Sequence, residues 1–252
     1  MRTPNSCRQR TTVSLRQFRH GAALVCALLL TVGGSRASSA QPFTVFTPSD
    51  LLAMHPDRFV ESLVHSRPAP VSAAARAHIS SMLPKEGEIV TPDAVARQKL
   101  VSLRAVLRGV ERESIYELKV VDTPLARMGL LERTVVLISA PVLRLVDTDE
   151  LQALVAHEIG HEYIWAEYER RSKLGDQDRL KELELVCDGI AVMILRELRI
   201  DASRLIAAIE KITRYNRDRF GSAMNEAAYP TVAERRKFVR AVTRWAQGDT
   251  RK

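Results

Sequence analysis

One long amphipathic helix limits what this chain can fold into, because its apolar stripe must pack against a core. The stretch DTDELQALVAHEIGHEYIWAEYERR runs from Asp147 to Arg171. Asp147 is followed three residues later by Glu150, which is the pattern of a capping box at a helix start. Apolar residues then recur at intervals of three and four, which predicts a helix that is buried on one face. The residues of this stripe are Leu151, Leu154, Val155, Ile159 and Tyr163.

Helical patterns dominate the remainder of the chain, and a small sheet precedes the long helix. Two β-branched runs, SIYELKVVD and RTVVLISA, predict strands between Ser114 and Ala140. Spacing of apolar residues predicts further helices. One of these helices begins at Pro92 and Asp93. The other three cover residues 179–198, 201–218 and 231–246. We therefore expect an α+β fold that is mostly helical, with a small β-sheet.

The first 40 residues are typical of an export signal. They contain six arginines and no acidic residue, then the apolar run from Gly21 to Gly34, then small residues up to Ala40. These are the parts of a secretory signal peptide, and we expect cleavage after Ala40. The alternative is an uncleaved segment that associates with a membrane, although its apolar run is shorter than the roughly 20 residues of a spanning helix. Either way, we expect a periplasmic or otherwise exported protein of the bacterial cell envelope.

The rest of the chain has a balanced charge and a single cysteine. The net charge of +8 includes the six arginines of residues 1–40, which leaves 32 basic residues against 30 acidic ones. Such a balance gives no reason to expect nucleic acid binding. Only Cys187 lies beyond the signal segment. It cannot form an internal disulfide, and we interpret it as a buried apolar side chain.

Composition also divides the exported part of the chain. Residues 41–92 are rich in Pro, Ser and Ala, with short helical pieces, and they predict an irregular N-terminal segment that packs on the domain. Residues 93–252 contain the predicted sheet and the longer helices. This second range is the predicted functional domain.

The sequence HEIGH lies inside the long helix. Residues four apart on a helix project the same way, so His157 and His161 can reach one metal ion. Glu158 is rotated to the edge of that face, where it can contact a water on the metal without binding the metal. This is the H-E-x-x-H arrangement of zinc peptidases, with Glu158 as the general base. Alternatively, these residues are ordinary polar groups of an amphipathic helix.

A third ligand has to be a carboxylate if the metal site exists. The metzincin pattern requires Gly and His at positions that hold Ile164 and Glu167 here, and no histidine follows His161. The next predicted helix offers Glu184 and Asp188, four apart on one face. Two histidines and a glutamate with an open fourth position form a known catalytic zinc site. Asp188 would accept the free N–H of a ligating imidazole.

Two alternatives weaken this assignment. Glu182 is another carboxylate nearby, although it is out of phase with Glu184 by two residues. Acidic residues four apart on a helix most often lie on a solvated face. In that case the chain would be a purely structural helical domain.

In these motifs the chain resembles the HtpX-like and CAAX prenyl protease family of gluzincin metallopeptidases. The family carries an acidic-Glu-Leu lead-in, H-E-x-G-H and then E-x-x-x-D, which DTDELQALVAHEIGHE and ELVCD match. The resemblance covers about Tyr116 to Arg236 and fits the family's compact periplasmic type. It implies a zincin-like metallopeptidase domain with one Zn2+ per chain on His157, His161 and Glu184.

The C-terminal part departs from the family pattern. Where the family often has His-Pro and then Glu-Arg, this chain has YPTVAERR, with Tyr229 in place of the histidine. A phenol, like the imidazole of that histidine, can donate a hydrogen bond to an oxyanion. The resemblance therefore implies a catalytic role for Tyr229. The alternative is a packed ring. Arg235 either pairs with a carboxylate near the site or lies on the helix surface, and we favour the surface.

The combined expectation is an exported zinc-dependent endopeptidase that acts on peptide or protein substrates. We expect a substrate to add as a strand along residues 134–139. We also expect Gly160, which has no side chain, to keep the helix narrow where the substrate passes. The alternative function is a non-catalytic zinc-containing binding or sensor domain of the cell envelope. The presence of Glu158 argues against it, since a non-catalytic site does not need that group.

Overall fold

A computed structural model describes residues 47–83, 88–221 and 229–248 of the chain. The predicted signal segment, residues 1–40, lies outside these ranges, so both its cleavage and its retention stay predictions. Within the described ranges, no helix has the length and apolar character needed to cross a membrane.

The described residues form nine helices and one four-stranded sheet, which confirms a mostly helical α+β fold. The helices are α1 (Pro48–Ala53), α2 (Pro56–His65), α3 (Ala73–Ser81), α4 (Ala94–Gly109), α5 (Ala140–Leu145), α6 (Thr148–Leu174), α7 (Gln177–Glu197), α8 (Ser203–Phe220) and α9 (Val232–Ala246). The strands are β1 (Glu88–Ile89), β2 (Glu117–Asp122), β3 (Met128–Leu131) and β4 (Val135–Ser139).

The N-terminal segment that was expected to be irregular contains the three helices α1 to α3. Pro48 and Pro56 begin helices, because a proline in the first turn removes only an N–H that has no partner in the helix. The side chains of Leu51 and Phe59 are fully buried in the common core. The indole N–H of Trp245 in α9 donates to the carbonyl of Met54 at 2.7 Å. This segment is therefore an integral part of the fold.

The sheet has the order β1-β2-β4-β3, with β2 and β4 parallel and the outer strands antiparallel to their neighbours. The two strands predicted from the sequence are β2 and β4. The expectation that a peptide adds along residues 134–139 is wrong, because β4 is paired on both sides. Among the described strands, β3 offers an open edge, and it packs against α6.

The helix α6 begins with the predicted capping box and packs along α7. The side chains and backbone amides of Asp147 and Glu150 bond reciprocally, and Lys211 of α8 pairs with Glu150 at 2.7 Å. Gly175, with φ of 68°, ends α6 in the left-handed conformation that glycine adopts without strain. Only Gly175 and Asp176 separate α6 from α7, so the two helices form an αα-hairpin.

Gly160 is the point of close approach between α6 and α7. A Cβ atom at this position would lie 2.8 Å from the Cα atom and 3.0 Å from the Cβ atom of Cys187. Real Cβ atoms do not approach backbone so closely, so the helices can pack here only because residue 160 has no side chain. The expectation that Gly160 makes room for a substrate is therefore wrong.

Replacement of Gly160 by alanine is expected to destabilise the protein by about 1–3 kcal/mol, the usual cost of inserting a methyl group into a packed interior. The loss should exceed the gain in helix propensity, which is at most about 1 kcal/mol. The free energy of unfolding in urea measures the effect. Gly109→Ala is the matched control, since its Cβ would lie 3.5 Å from Leu198, an ordinary contact. Equal stability of Gly160→Ala and wild type would contradict this packing argument.

Candidate metal centre

Three potential metal ligands converge where α6 meets α7. His157 and His161 lie one turn apart on α6, and the close approach at Gly160 brings Glu184 of α7 opposite them. One ligand atom from each of the three residues lies within 4.8 Å of the other two. The Nε2 atom of His157 is 3.3 Å from Oε2 of Glu184, and Nε2 of His161 is 3.7 Å from Oε1. The predicted ligands are therefore brought together.

The cluster is buried but has one accessible side. His157 and Glu184 are almost completely buried, whereas 15% of the His161 side chain is exposed. A ligand or water therefore has its nearest access at His161. Because unpaired charges are costly in such a place, these side chains must be matched by partners.

Asp188 lies behind His157, as the sequence predicts. Its Oδ1 atom is 2.9 Å from Nδ1 of His157, a hydrogen-bond distance with bent rather than linear alignment. The contact directs Nδ1 toward Asp188 and leaves Nε2 facing Glu184. Glu182, the weaker candidate, points elsewhere: it pairs with Arg179 and is about half exposed. The structure thus favours Glu184 over Glu182 as the third candidate ligand.

The protonation of the cluster shows that it favours a cation. Burial would lower the pKa of His157, but hydrogen bonding to Asp188 and Glu184 outweighs it and raises the pKa to about 10. Burial lowers the pKa of His161. Burial would raise the pKa of Glu184, yet its neighbours His161, His157 and Arg235 lower it. Without metal, the raised pKa of His157 favours its protonated form.

The donor set fits zinc. Two neutral imidazoles and one carboxylate are ligands that Zn2+ accepts, and they leave a fourth tetrahedral position open. A metal ion would replace the proton on His157, which is the usual coupling between metal binding and deprotonation. Of the described residues, only these three form such a cluster.

Glu158 lies beside the cluster without belonging to it. Only 8% of its surface is exposed. Its negative charge contributes to the shifted pKa values of both His161 and Tyr229. Its role as the general base stays a prediction.

Tyr229 lies at the rim of the site. Its surface is 46% exposed, and its pKa is raised to about 12, chiefly by the nearby charge of Glu184 and by partial burial. Its hydroxyl shares a hydrogen bond with the hydroxyl of Tyr168. The ring of Tyr168 packs edge-on against His161, with ring centroids 5.2 Å apart. Sequence reasoning missed Tyr168, although it lies seven residues after His161 and hence on the same helix face.

Arg235 is buried in the centre, so the expectation that it lies on the helix surface is wrong. Its guanidinium donates to Oδ1 of Asp188 at 2.8 Å and to Oε2 of Glu184 at 2.7 Å. A signal in the sequence could have placed it. Arg235 precedes the buried residues Phe238 and Val239 by three and four positions, and thus continues the apolar stripe of α9.

Among the described residues, His55, His65, His78 and Cys187 lie outside the cluster. The side chain of His55 accepts from the amide of Asp57 and thereby caps α2. Cys187 is fully buried between the helices, where its packing against Gly160 gives it a structural role. The pKa of its thiol is raised far above the usual value, first by burial and then by the surrounding carboxylates.

No protein-family model matches the chain, and no curated protein matches it either. Membership of the family that the motifs resemble therefore stays a prediction.

Proposed function

We propose that this protein is an exported zinc-dependent endopeptidase that hydrolyses peptide bonds of cell-envelope proteins. The observation that carries the proposal is the convergence of His157, His161 and Glu184, with Glu158 next to His157 on the same helix. The assignment to the cell envelope rests on the predicted signal in residues 1–40.

His157, His161 and Glu184 would hold a zinc ion, which would lower the pKa of a bound water to about 7 and polarise the scissile carbonyl. Glu158 accepts the proton of the attacking water and passes it to the leaving amine. Asp188 keeps the imidazole of His157 in the tautomer that presents Nε2. The groups of this chain thus supply proton transfer and fixed ligand orientation.

The open edge of β3 is the proposed binding place for the substrate backbone. An extended peptide can add to an exposed strand through main-chain hydrogen bonds, which makes little demand on its sequence. Because β3 packs against α6, a peptide on this edge runs alongside the helix that carries Glu158. The proposed peptide-binding edge is therefore β3 and not residues 134–139.

Tyr229 is the proposed hydrogen-bond donor to the oxyanion of the transition state. Its raised pKa keeps the phenol protonated at neutral pH, as a donor requires. Tyr229→Phe is therefore expected to reduce kcat by about 10²-fold, with zinc content and KM nearly unchanged. Steady-state kinetics with a peptide substrate measure this. If kcat does not change, Tyr229 is a packed ring at the rim.

The proposal is tested by the metal content of the purified protein after dialysis without chelator. We expect about one zinc per chain, loss of peptide hydrolysis when a chelator removes it, and recovery on adding zinc back. A folded protein that contains no zinc and takes up none would contradict the proposal. One zinc per chain without hydrolysis of any peptide or envelope protein would support a binding or sensor domain instead.

A further inference from the structure

Four side chains around the metal centre form a closed ring of contacts. Nη1 of Arg235 is 2.8 Å from Oδ1 of Asp188. The same Oδ1 atom is 2.9 Å from Nδ1 of His157. The other nitrogen of the same imidazole, Nε2, is 3.3 Å from Oε2 of Glu184. The ring closes where Nη2 of Arg235 donates to that oxygen at 2.7 Å.

Each carboxylate in the ring uses a single oxygen for both of its contacts. Asp188 uses Oδ1, and Glu184 uses Oε2. The other oxygen of Glu184, Oε1, faces His161 at 3.7 Å. Arg235 therefore occupies one oxygen of the ligand and leaves the other oxygen toward the second histidine.

The chemistry of arginine suits this position. Its planar guanidinium presents several N–H donors in a fixed fork, so that one side chain can hold two carboxylates at once in a set geometry. A lysine ammonium carries the same charge but has no such fork. A permanent cation between them also offsets the cost of burying two carboxylates.

We propose that Arg235 is a positioning residue that makes Glu184 bind the metal through Oε1 alone and holds Asp188 against His157. This inference rests on the proposed zinc site. Binding through one oxygen gives three protein ligands, with one tetrahedral position left for water. Binding through both oxygens of Glu184 would add a ligand to the metal.

Zinc affinity of the full-length protein, measured by competition with a chromophoric chelator, tests the inference. Arg235→Lys, which keeps the charge, is expected to lower zinc affinity by about 10- to 100-fold, the usual effect of removing a group that orients a ligand. Arg240→Lys is the matched control, since Arg240 lies on the same helix and is exposed. We expect its zinc affinity to equal that of wild type.

A second measurement reads the ligand geometry directly. X-ray absorption of the zinc-loaded wild type is expected to show four ligands with one carboxylate oxygen among them, and loaded Arg235→Lys is expected to show an additional oxygen. Five ligands in wild type, or wild-type affinity in a folded Arg235→Lys variant, would overturn the inference. If the variant does not fold, five ligands in wild type would still overturn the inference, and four would support binding of Glu184 through one oxygen. Failure of wild type to bind zinc at all would instead overturn the proposed function.

Discussion

Replacing Glu158 by glutamine is expected to reduce peptide hydrolysis by about 10²- to 10⁴-fold, the usual contribution of a general base. Glutamine has nearly the same shape but cannot accept the proton of the attacking water. Because Glu158 lies beside the ligand cluster and is not part of it, the variant should keep one zinc per chain. Kinetics and metal analysis of the same sample measure both effects.

The control for Glu158→Gln is Glu167→Gln on the same helix. Glu167 pairs with Arg170 and Arg171, and loss of ion pairs near a surface changes stability by about 1 kcal/mol or less. Its hydrolysis rate should equal that of wild type. Full activity in Glu158→Gln with zinc in place would refute the role of Glu158 as the general base. Loss of zinc in that variant would instead assign it to the metal cluster.

The elements predicted from the sequence are those whose signals are local. The capping box at Asp147 depends on residues within one turn of each other, and it occurs in α6. The prediction that this helix is buried on one face is wrong for its first half, because every residue from Glu150 to Gly160 is buried. By contrast, β3 has only four residues and is defined by its pairing with β4. The general richness of residues 41–92 in Pro, Ser and Ala predicted an irregular segment, although proline both begins helices and breaks them.

In the candidate site, too, some residues could be predicted from local spacing and others could not. The phase of a helix places His157 and His161 together and puts Glu184 one turn before Asp188, so these groups could be selected from spacing. Contacts between helices leave weaker traces. Arg235 was misplaced because a charged residue is normally assigned to the solvent face, although its partners lie on α7.

The role of Gly160 shows the same limit for packing. Its small size was visible in the sequence, whereas the reason for it lies in the backbone of Cys187, 27 positions further along the chain. A glycine in a helix interior carries a cost of about 1 kcal/mol relative to alanine. The structure indicates that close packing of α6 on α7, which positions the ligands, offsets that cost.

Glu184 is the candidate third ligand that the structure favours over Glu182. Its replacement has the largest expected effect on metal binding. Glu184→Gln keeps the volume and the hydrogen bond from Arg235 but removes the negative charge that attracts the metal. We expect zinc affinity to fall by more than the roughly 10- to 100-fold cost of losing a group that only orients a ligand. Hydrolysis should be lost with the metal.

The thermal midpoint of unfolding, with and without added zinc, distinguishes this loss from general damage. Zinc at about 100 times its Kd should add about 2.7 kcal/mol to the free energy of unfolding of wild type, because it binds only the folded state. At that zinc concentration Glu184→Gln should gain almost nothing. Glu182→Gln should gain as much as wild type, since Glu182 pairs with Arg179 away from the cluster. If Glu182→Gln loses the zinc response and Glu184→Gln keeps it, the third ligand has been assigned to the wrong carboxylate.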